Sequence, residues 1–453
     1  MSKISVVIPC LNMINYIEEC MISVLKQTLD DIEILVIDAG STDGTLAILD
    51  TYAHSDSRIK VLHSEKKSYG YQVNMGIAKA QGEYIGIVDA DDRIVQDMYE
   101  TLYNEAVKTG ADYVKGTACG FYTIQDKYTY RYEIIQFQKD KYKDGRIQVV
   151  PRELPELLQK DCFLWYGIYR REFMKKVRFH ESPGASYQDA GGLLQTQMRA
   201  EKAIYINKMV YEYRKDNMFA SEYNPRAFEL ILNEYEWERQ YLEREPLCWH
   251  KTFYQKWFLH TLSRYDVMVI SGYLEENALG AIAKIRERFS WAMEKSIFAE
   301  TDFNDLNQRK FKLFMSNPRK LYEEMKKEYE CAKKRLYEVI QAAKGKKCVI
   351  FGSGCLGTFL YLQMLHNNVD SVAVFCDTNA LREEMTVYEL PVLLPENAVR
   401  KYPDARYIIA NKNSVQEMQD CLLQLGIDEK KIFYYTSGAD HRLFRTRIDL
   451  ADI

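Results

Sequence analysis

The first ~100 residues alternate between segments that read as buried strands and segments with helical periodicity. The strands are "ISVVIP", "IEILVID", "IKVLHS" and "EYIGIVD". Between the first two, Ile17, Cys20, Met21, Val24 and Leu25 recur at helical spacing. Strands separated by helices predict an α/β fold with a doubly wound, largely parallel sheet. Ligands of such sheets bind outside the carboxyl ends of the strands, so the residues after each strand are the first candidates for a site.

Length and composition narrow the class of protein. A chain of 453 residues, 47% of them hydrophobic, is long enough for two or three domains. The formal charge of -4 and pI near 6.1 give no overall positive field, so nucleic acid is not an expected partner. The 10 cysteines include no Cys-x-x-Cys pair, which indicates reduced thiols in a cytoplasmic protein. No uncharged apolar run approaches the ~20 residues of a membrane helix, so we expect membrane contact only as peripheral association at the inner face.

From about residue 222 to 343 the sequence is helical. At its end seven residues recur at heptad positions: Tyr322, Met325, Tyr329, Ala332, Leu336, Val339 and Ala343. A long amphipathic helix packed on its own domain is the favoured interpretation, and a coiled coil that makes a homodimer is the alternative. Residues 309–347 also carry 13 Lys or Arg against 5 Glu, an excess that is usually solvated and that would attract anionic lipid headgroups.

The stretch "GEYIGIVDADD" brings Asp89, Asp91 and Asp92 together after a buried strand. Residues two apart on a strand point to the same side, so the carboxylates of Asp89 and Asp91 are expected to face one site. Two such carboxylates hold Mg²⁺ or Mn²⁺ and leave positions open for a diphosphate. A lone Asp-x-Asp mostly marks a solvated turn, and its place after an apolar strand makes a metal site about equally plausible.

The wider pattern resembles the family 2 glycosyltransferases of the GT-A fold. The matching segments are "SVVIPCLN", "VIDAGSTDGT", "GYQVNMGIAKAQGEYIG" and "VDADD", in the family's order and spacing. The resemblance is strong to about residue 120 and looser to about 221, which predicts a glycosyltransferase domain over 1–221. It implies an inverting transfer of a sugar from a metal-bound nucleotide sugar to a hydroxyl of a glycan or lipid-linked glycan in bacterial surface-polysaccharide synthesis.

The resemblance also implies roles for individual residues. Asp91 and Asp89 would bind the divalent cation, with Asp92 as an alternative ligand. The donor-binding residues would be Pro9, Asn12, Asp38, Asn74, Asp89 and Arg214. Ala39 and Val73 stand where the family often has an acid and an arginine, which weakens the case for a UDP-linked donor, although a UDP-sugar is still the donor we expect.

Two later segments supply the remaining predictions for this domain. In "ESPGASYQDAGG" the resemblance implies that Asp189 is the general base, and the alternative is that Asp189 caps the following helix. Arg214 in "YEYRKDN" would offset charge on the leaving diphosphate. Trp165 in "CFLWYGIYRREF" would stack on the acceptor sugar, against the commoner interpretation of a core tryptophan.

The C-terminal part, residues 344–453, begins a new α/β unit. Gly352, Gly354 and Gly357 form G-x-G-x-x-G between a strand and a helix, and Asp377 ends the next strand. This is the spacing of a dinucleotide fingerprint, so we predict a small Rossmann-like domain. It either binds a nucleotide or is purely structural, and a nucleotide-binding scaffold without catalysis is the alternative to the transferase. A sugar nucleotidyltransferase is disfavoured because no glycine-rich basic loop follows the first strand.

Overall fold

A computed structural model describes residues 2–124, 128–135, 145–184, 187–217, 220, 224–271, 276–379 and 385–436. The chain divides into two compact units. The first contains residues 1–120, 133–268 and 273–321, and the second contains 121–132, 269–272 and 322–453. The boundaries expected at 221 and 343 stay predictions of the sequence.

The first unit is built on a mixed sheet with the strand order β3-β2-β1-β4-β9-β6-β10-β5, to which β7 and β8 add at β6 and β10. Strands β1 to β4 are parallel to one another, and β4, β9 and β6 pair antiparallel. The strands are β1 Ile4–Cys10, β2 Ile32–Asp38, β3 Ile59–His63, β4 Tyr84–Ile87, β5 Arg93–Ile94, β6 Tyr113–Ile124, β7 Tyr128–Ile135, β8 Arg146–Val149, β9 Gly167–Arg170 and β10 Ala203–Arg214.

Helices follow between these strands and continue into the middle of the chain. They are α1 Ile17–Leu25, α2 Thr45–Ser55, α3 Tyr69–Lys79, α4 Met98–Thr109, α5 Leu157–Lys160, α6 Arg171–Met174, α7 Asp189–Arg199, α8 Ala227–Glu238, α9 Leu247–Ser271, α10 Glu276–Glu294, α11 Asp305–Ser316 and α12 Pro318–Ala343. From residue 322 onward α12 belongs to the second unit. No helix within the described ranges is long and apolar enough to cross a membrane.

Alternate residues of β1 enter opposite cores, which explains why the strand reads as a continuous apolar run. Val6 and Ile8 pack in the core that includes α1, whereas Val7 packs with Val73 and Ile77 of α3 in the other. A strand that is covered on both faces has no polar face to show in its sequence. The predicted α/β fold with its N-terminal parallel strands is confirmed.

The second unit carries a smaller sheet with the order β13-β14-β12-β11-β15-β16, parallel except for the β13–β14 pair. Its elements are β11 Cys348–Phe351, α13 Cys355–His366, β12 Val372–Cys376, β13 Thr386–Val387, β14 Leu390–Leu393, α14 Pro395–Lys401, β15 Arg406–Ile409, α15 Val415–Gln424 and β16 Ile432–Tyr434. The predicted small C-terminal α/β sheet is therefore present.

The heptad residues of α12 are buried within the chain. All seven expose 8% of their surface or less, from 0% for Leu336 to 8% for Tyr322. An apolar helix face that is already covered is not open to a second copy. The heptad face of α12 is therefore packed within its own chain, as in the favoured interpretation.

Candidate functional site

A cavity of about 840 Å³ lies at the carboxyl ends of β1, β2 and β4. Its wall is made by the loop after β1, the loop after β2, the start of α3, the acidic turn after β4, and the segment after β10. The lining residues are Pro9 to Tyr16, Thr42, Asp43, Tyr69, Gln72, Asp89, Ala90, Asp91, Tyr213, Asn217, Ala220, Asn224 and Pro225. This is the edge of the sheet where the alternating pattern predicts a ligand site.

The acidic turn points its carboxylates in two directions. Asp89 and Asp91 line the cavity, where the Tyr69 hydroxyl donates to Asp89 Oδ1 at 3.2 Å and the Asn217 amide nitrogen donates to Asp91 Oδ2 at 2.7 Å. Asp92 is fully buried on the other side and accepts from the Tyr211 hydroxyl and the Arg214 backbone N–H, both at 2.7 Å. Asp92 therefore ties the turn to β10 and does not face the cavity as an alternative ligand would.

The electrostatic environment of the turn favours a cation. Burial, together with the charges of Asp91 and Asp189, raises the pKa of Asp89 to about 8. Burial also raises the pKa of Asp91, and the hydrogen bond from Asn217 opposes that shift. Carboxylates whose negative charge is this poorly compensated gain most when a positive ion binds between them.

The donor set fits Mg²⁺ or Mn²⁺ held jointly with a substrate. In the part of the chain that the structure describes, no group of three or more His, Cys, Asp or Glu side chains is arranged to hold a metal ion. Asp89 and Asp91 offer carboxylate oxygens at the cavity, whereas the carboxylate of Asp43, which also lines it, accepts from the Ile14 and Thr45 N–H groups. Magnesium is commonly bound by one or two carboxylates plus substrate phosphates and water, so this pair suits a metal–diphosphate complex and not a permanent protein-only site.

Polar contacts fasten the loops after β1 and β2 to each other. Asn12, with a φ of 54°, donates its N–H to the Ser41 hydroxyl at 2.8 Å and accepts from the Thr42 N–H at 2.9 Å. Asp43 accepts from the Ile14 and Thr45 N–H groups, each at 3.0 Å, so it anchors the start of α2. The cavity wall formed by Pro9 and Asn12 is thereby fixed in shape.

Asp38 has a structural position that the sequence did not indicate. It exposes 1% of its surface, and its carboxylate accepts from the N–H groups of Gly40 and Ser41 at 2.8 and 2.9 Å and from the Ser41 hydroxyl. It is absent from the cavity lining. Its carboxylate holds the loop that carries Thr42 and does not line the cavity.

Asn74, Arg214 and Trp165 also lie outside the cavity lining. The Asn74 amide is bonded to Phe179 N–H and C=O, each at 3.0 Å, and to Glu181 at 3.0 Å. The Arg214 guanidinium donates to a Glu19 carboxylate oxygen at 2.5 Å and to the Asp91 carbonyl oxygen at 2.7 Å, so it helps to hold the acidic turn in place.

Trp165 belongs to an aromatic stack in the core of the first unit. It is 3% exposed, and its ring stacks on Tyr211 at 4.2 Å, Phe163 at 4.9 Å and Tyr213 at 5.1 Å. The indole therefore has no open face for an acceptor sugar.

Asp189 is the first residue of α7. It does not line the cavity, yet it is near enough that its charge raises the pKa values of Asp89 and Tyr69. Burial raises the pKa of Asp189 itself, and the nearby Lys256 opposes that shift. The structure thus brings the predicted base within electrostatic range of the predicted metal ligands, although the two are about 100 residues apart in sequence.

In the second unit, Gly352 and Gly354 lie in the turn between β11 and α13, and Gly357 lies in the first turn of α13. A Cβ on Gly357 would lie 1.9 Å from the Gly352 carbonyl oxygen, whereas a Cβ on Gly354 would meet nothing within 4 Å. Asp377 accepts from the Ser353 N–H at 3.0 Å and hydroxyl at 2.6 Å. The loop is closely packed at Gly352 and Gly357 and open at Gly354.

The cavity includes residues that sequence reasoning missed. Tyr69 begins α3, and Asn217 follows the Tyr213-Arg214 pair that drew attention to that segment. Their contacts with Asp89 and Asp91 depend on side chains 20 and 126 residues away. A tyrosine at a helix start and an asparagine in a loop carry no sequence signal of such a role.

An α/β sheet with an acidic, loop-lined cavity at its carboxyl edge defines a ligand-binding α/β protein, and comparison with known proteins identifies its family. Residues 5–177 match the family model described as glycosyl transferase family 2. The glycosyltransferase GlyG of Streptococcus pneumoniae serotype 4 is 34% identical over 217 residues, which cover 47% of this chain and 70% of GlyG. The uncharacterized glycosyltransferase EpsJ of Bacillus subtilis is 31% identical over 243 residues, covering 51% of this chain and 67% of EpsJ.

This chain belongs to glycosyl transferase family 2 and is a glycosyltransferase, as its motifs predict. Its fold is similar to that of S. aureus TarS 1-349, crystallised in complex with UDP-GlcNAc. The two share 19% identity and a TM-score of 0.54 over 72% of this chain and 91% of that one.

Proposed function

We propose that this chain is an inverting transferase that moves a sugar from a metal-bound UDP-sugar to a hydroxyl group of a glycan or lipid-linked glycan of the bacterial surface. The observation that carries the proposal is the placement of Asp89 and Asp91 in one cavity wall with Asp189 in electrostatic range. The cytoplasmic face of the membrane is the proposed place of work, supported by the positive excess over residues 309–347.

The donor would occupy the 840 Å³ cavity, which is large enough for a nucleotide sugar. Asp91 and Asp89 would hold Mn²⁺ or Mg²⁺ against the diphosphate, where the cation stabilises the charge of the leaving group. Asn217 and Tyr69 orient these carboxylates through hydrogen bonds of 2.7 and 3.2 Å. The choice of UDP is supported by the TarS complex with UDP-GlcNAc, whose fold this chain shares.

Asp189 would take the proton of the acceptor hydroxyl as its oxygen attacks the anomeric carbon from the side opposite the leaving UDP. This role requires the carboxylate form. Burial works against that form and Lys256 works for it, so the local balance of charge decides the pH at which the base is active.

The test compares Asp91→Asn and Asp189→Asn with Asp50→Asn, an exposed acid on α2 that serves as the matched control. Thermal unfolding with UDP-, GDP-, CMP- and dTDP-sugars, with and without Mn²⁺, measures donor binding, and release of nucleoside diphosphate measures turnover. Asp91→Asn should lose metal-dependent stabilisation, and Asp189→Asn should keep it while transfer falls by a factor of about 10³ or more.

Two results would contradict this assignment. Metal-dependent stabilisation that survives in Asp91→Asn would remove that residue as a ligand. Near-normal transfer by Asp189→Asn would place the base elsewhere.

A further inference from the structure

The segment that leads into α7 is packed on the start of α3. Gly184 accepts from the Tyr69 N–H at 3.0 Å and donates its own N–H to the Lys67 carbonyl oxygen at 2.7 Å. A Cβ on Gly70 would lie 1.9 Å from the His180 carbonyl oxygen, so a glycine is needed for this approach. The segment is therefore held by the helix whose first residue, Tyr69, lines the cavity.

Gln188, the residue before Asp189, adds a side-chain link between the same two elements. It is 1% exposed. Its Oε1 accepts from the Gly70 N–H at 2.6 Å, and its Nε2 donates to the carbonyl oxygen and the hydroxyl of Ser182 at 2.6 and 2.7 Å. An N–H can only donate and a carbonyl oxygen can only accept, so these partners define the orientation of the amide. Gln188 thus joins the start of α7 to the start of α3.

Tyr187, one residue earlier, has a backbone conformation that tyrosine rarely adopts. Its φ is 70°, in the left-handed region. Its hydroxyl accepts from the Arg264 guanidinium of α9 at 2.7 Å, and its ring packs edge-on against the His260 ring at 5.1 Å. Such a conformation persists only where the surrounding contacts impose it, and it is concentrated at functional sites. The turn into α7 is therefore held from two sides, by α3 through Gln188 and by α9 through Tyr187.

A short path of contacts connects the proposed base with the proposed metal site. Asp189 follows Gln188 in the chain, and Gln188 is bonded to Gly70. Gly70 in turn follows Tyr69, whose hydroxyl donates to Asp89 Oδ1 at 3.2 Å. All of these residues belong to the first compact unit. Proton removal from an attacking hydroxyl requires that the base and the bound donor are held in a fixed arrangement, and this path supplies such a connection.

We propose that Gln188 is a positioning residue for sugar transfer, which sets the place of Asp189 relative to the metal-bound donor by joining the starts of α7 and α3. The inference rests on the proposed function, because it assumes that Asp189 is the base. It adds that the link is made by a neutral amide, so the role of Gln188 is geometric and requires both the oxygen and the nitrogen of its side chain.

The experiment compares Gln188→Met with Gln195→Met in the full chain. Gln195 is also a glutamine of α7, is 1% exposed, accepts from the Arg178 N–H at 3.1 Å and donates to the Arg178 carbonyl oxygen at 2.6 Å, so it is the matched control. The donor is the nucleotide sugar that gives the largest Mn²⁺-dependent thermal stabilisation among UDP-, GDP-, CMP- and dTDP-sugars. Release of its nucleotide measures the turnover number and the Michaelis constant, and thermal unfolding measures stability.

In Gln188→Met the turnover number should fall about 10- to 100-fold, because a displacement of the order of 1 Å at a reacting group has such an effect. The Michaelis constant for the donor should stay unchanged, because Gln188 does not line the cavity. Gln195→Met should lose a comparable amount of thermal stability and keep a normal turnover number. A normal turnover number in Gln188→Met, or an equal fall in Gln195→Met, would overturn the proposal.

A double variant separates positioning of the base from a general effect on the fold. If Gln188 acts through Asp189, adding Gln188→Met to Asp189→Asn should have little further effect on the residual turnover, because the two residues act as a unit. A fall by the same factor as in the wild-type background would overturn the proposal. Gln188→Glu, which keeps an oxygen for Gly70 but loses the amide donors to Ser182, provides the same comparisons if the methionine variant unfolds. Near-normal turnover in Asp189→Asn marks the different failure, that of the proposed function.

Discussion

Replacement of Asn217 by alanine tests whether Asp91 must be held in place to bind a metal. The Asn217 amide donates to Asp91 Oδ2 at 2.7 Å, and the residue is 1% exposed. In the alanine variant, Asp91 Oδ2 loses this hydrogen-bond donor. The rest of the acidic turn keeps its bonds to Tyr211 and Arg214 through Asp92.

The expected magnitude follows from the type of hydrogen bond. A bond to a charged group contributes about 1.5–3 kcal/mol. Since every ~1.4 kcal/mol is a factor of ten, the Mn²⁺ concentration needed for half-maximal UDP binding should rise about 10- to 150-fold. Loss of partners that orient metal ligands has effects of this order, about 10- to 100-fold.

Asn74→Ala is the matched control. Asn74 is also a buried asparagine in the first unit, but its amide bonds to Phe179 and Glu181 and not to the acidic turn. The Asn74→Ala variant should have a lower melting temperature, and the Mn²⁺ concentration needed for half-maximal UDP binding should be unchanged. Isothermal titration of UDP at several Mn²⁺ concentrations measures both variants. A normal Mn²⁺ requirement in Asn217→Ala, or an equal change in Asn74→Ala, would refute the reasoning.

Two further predictions concern the C-terminal loop and the buried acid of α8. If the C-terminal loop binds a nucleotide, Gly354→Val should abolish metal-independent thermal stabilisation by NAD or UDP while the fold persists, because the space around Gly354 is open; undiminished stabilisation in the variant would exclude this loop as the site. The pKa of Glu234 is raised from 4.5 to about 9, so the folded protein holds a proton that the unfolded chain releases, and stability should fall by up to ~1.4 kcal/mol per pH unit between these values. In Glu234→Gln the free energy of unfolding, measured by chemical denaturation without metal, should decline less steeply from pH 6 to 9. An unchanged pH dependence would show that Glu234 is ionised in the folded state.

The sheet and one half of the cavity could be predicted from sequence because the information there is local. Strands β1 and β2 are buried along their whole length and read as continuous apolar runs. The carboxyl ends of parallel strands meet at one edge of a sheet, so Asp89 and Asp91 could be placed in a site from the sequence alone. Pro9 and Asn12 were placed at the site by the resemblance to the family, and both line the cavity.

The remaining residues of the site could not be predicted because their roles depend on tertiary contacts. Asp38 ends a strand at the same edge, yet the N–H groups of Gly40 and Ser41 capture its carboxylate. A motif gives the position of a residue along the chain but not the direction of its side chain. Lys256 is the opposite case, since nothing in its sequence context indicates that the folded chain buries its side chain.

The proposed metal ligands and the proposed base lie on different elements: the ligands follow a strand of the sheet, and the base begins a helix. The proposed metal ligands lie on a turn that Asp92 and Arg214 tie to β10, and Tyr69 and Asn217 hold their carboxylates. The proposed base begins α7, whose first turn is packed against α8 through Gly191. Relatives that share the sheet but differ in the helices would then keep the donor chemistry and change the position of the base. We therefore expect the helices after residue 221 to tune the transfer step, and not only to support the fold.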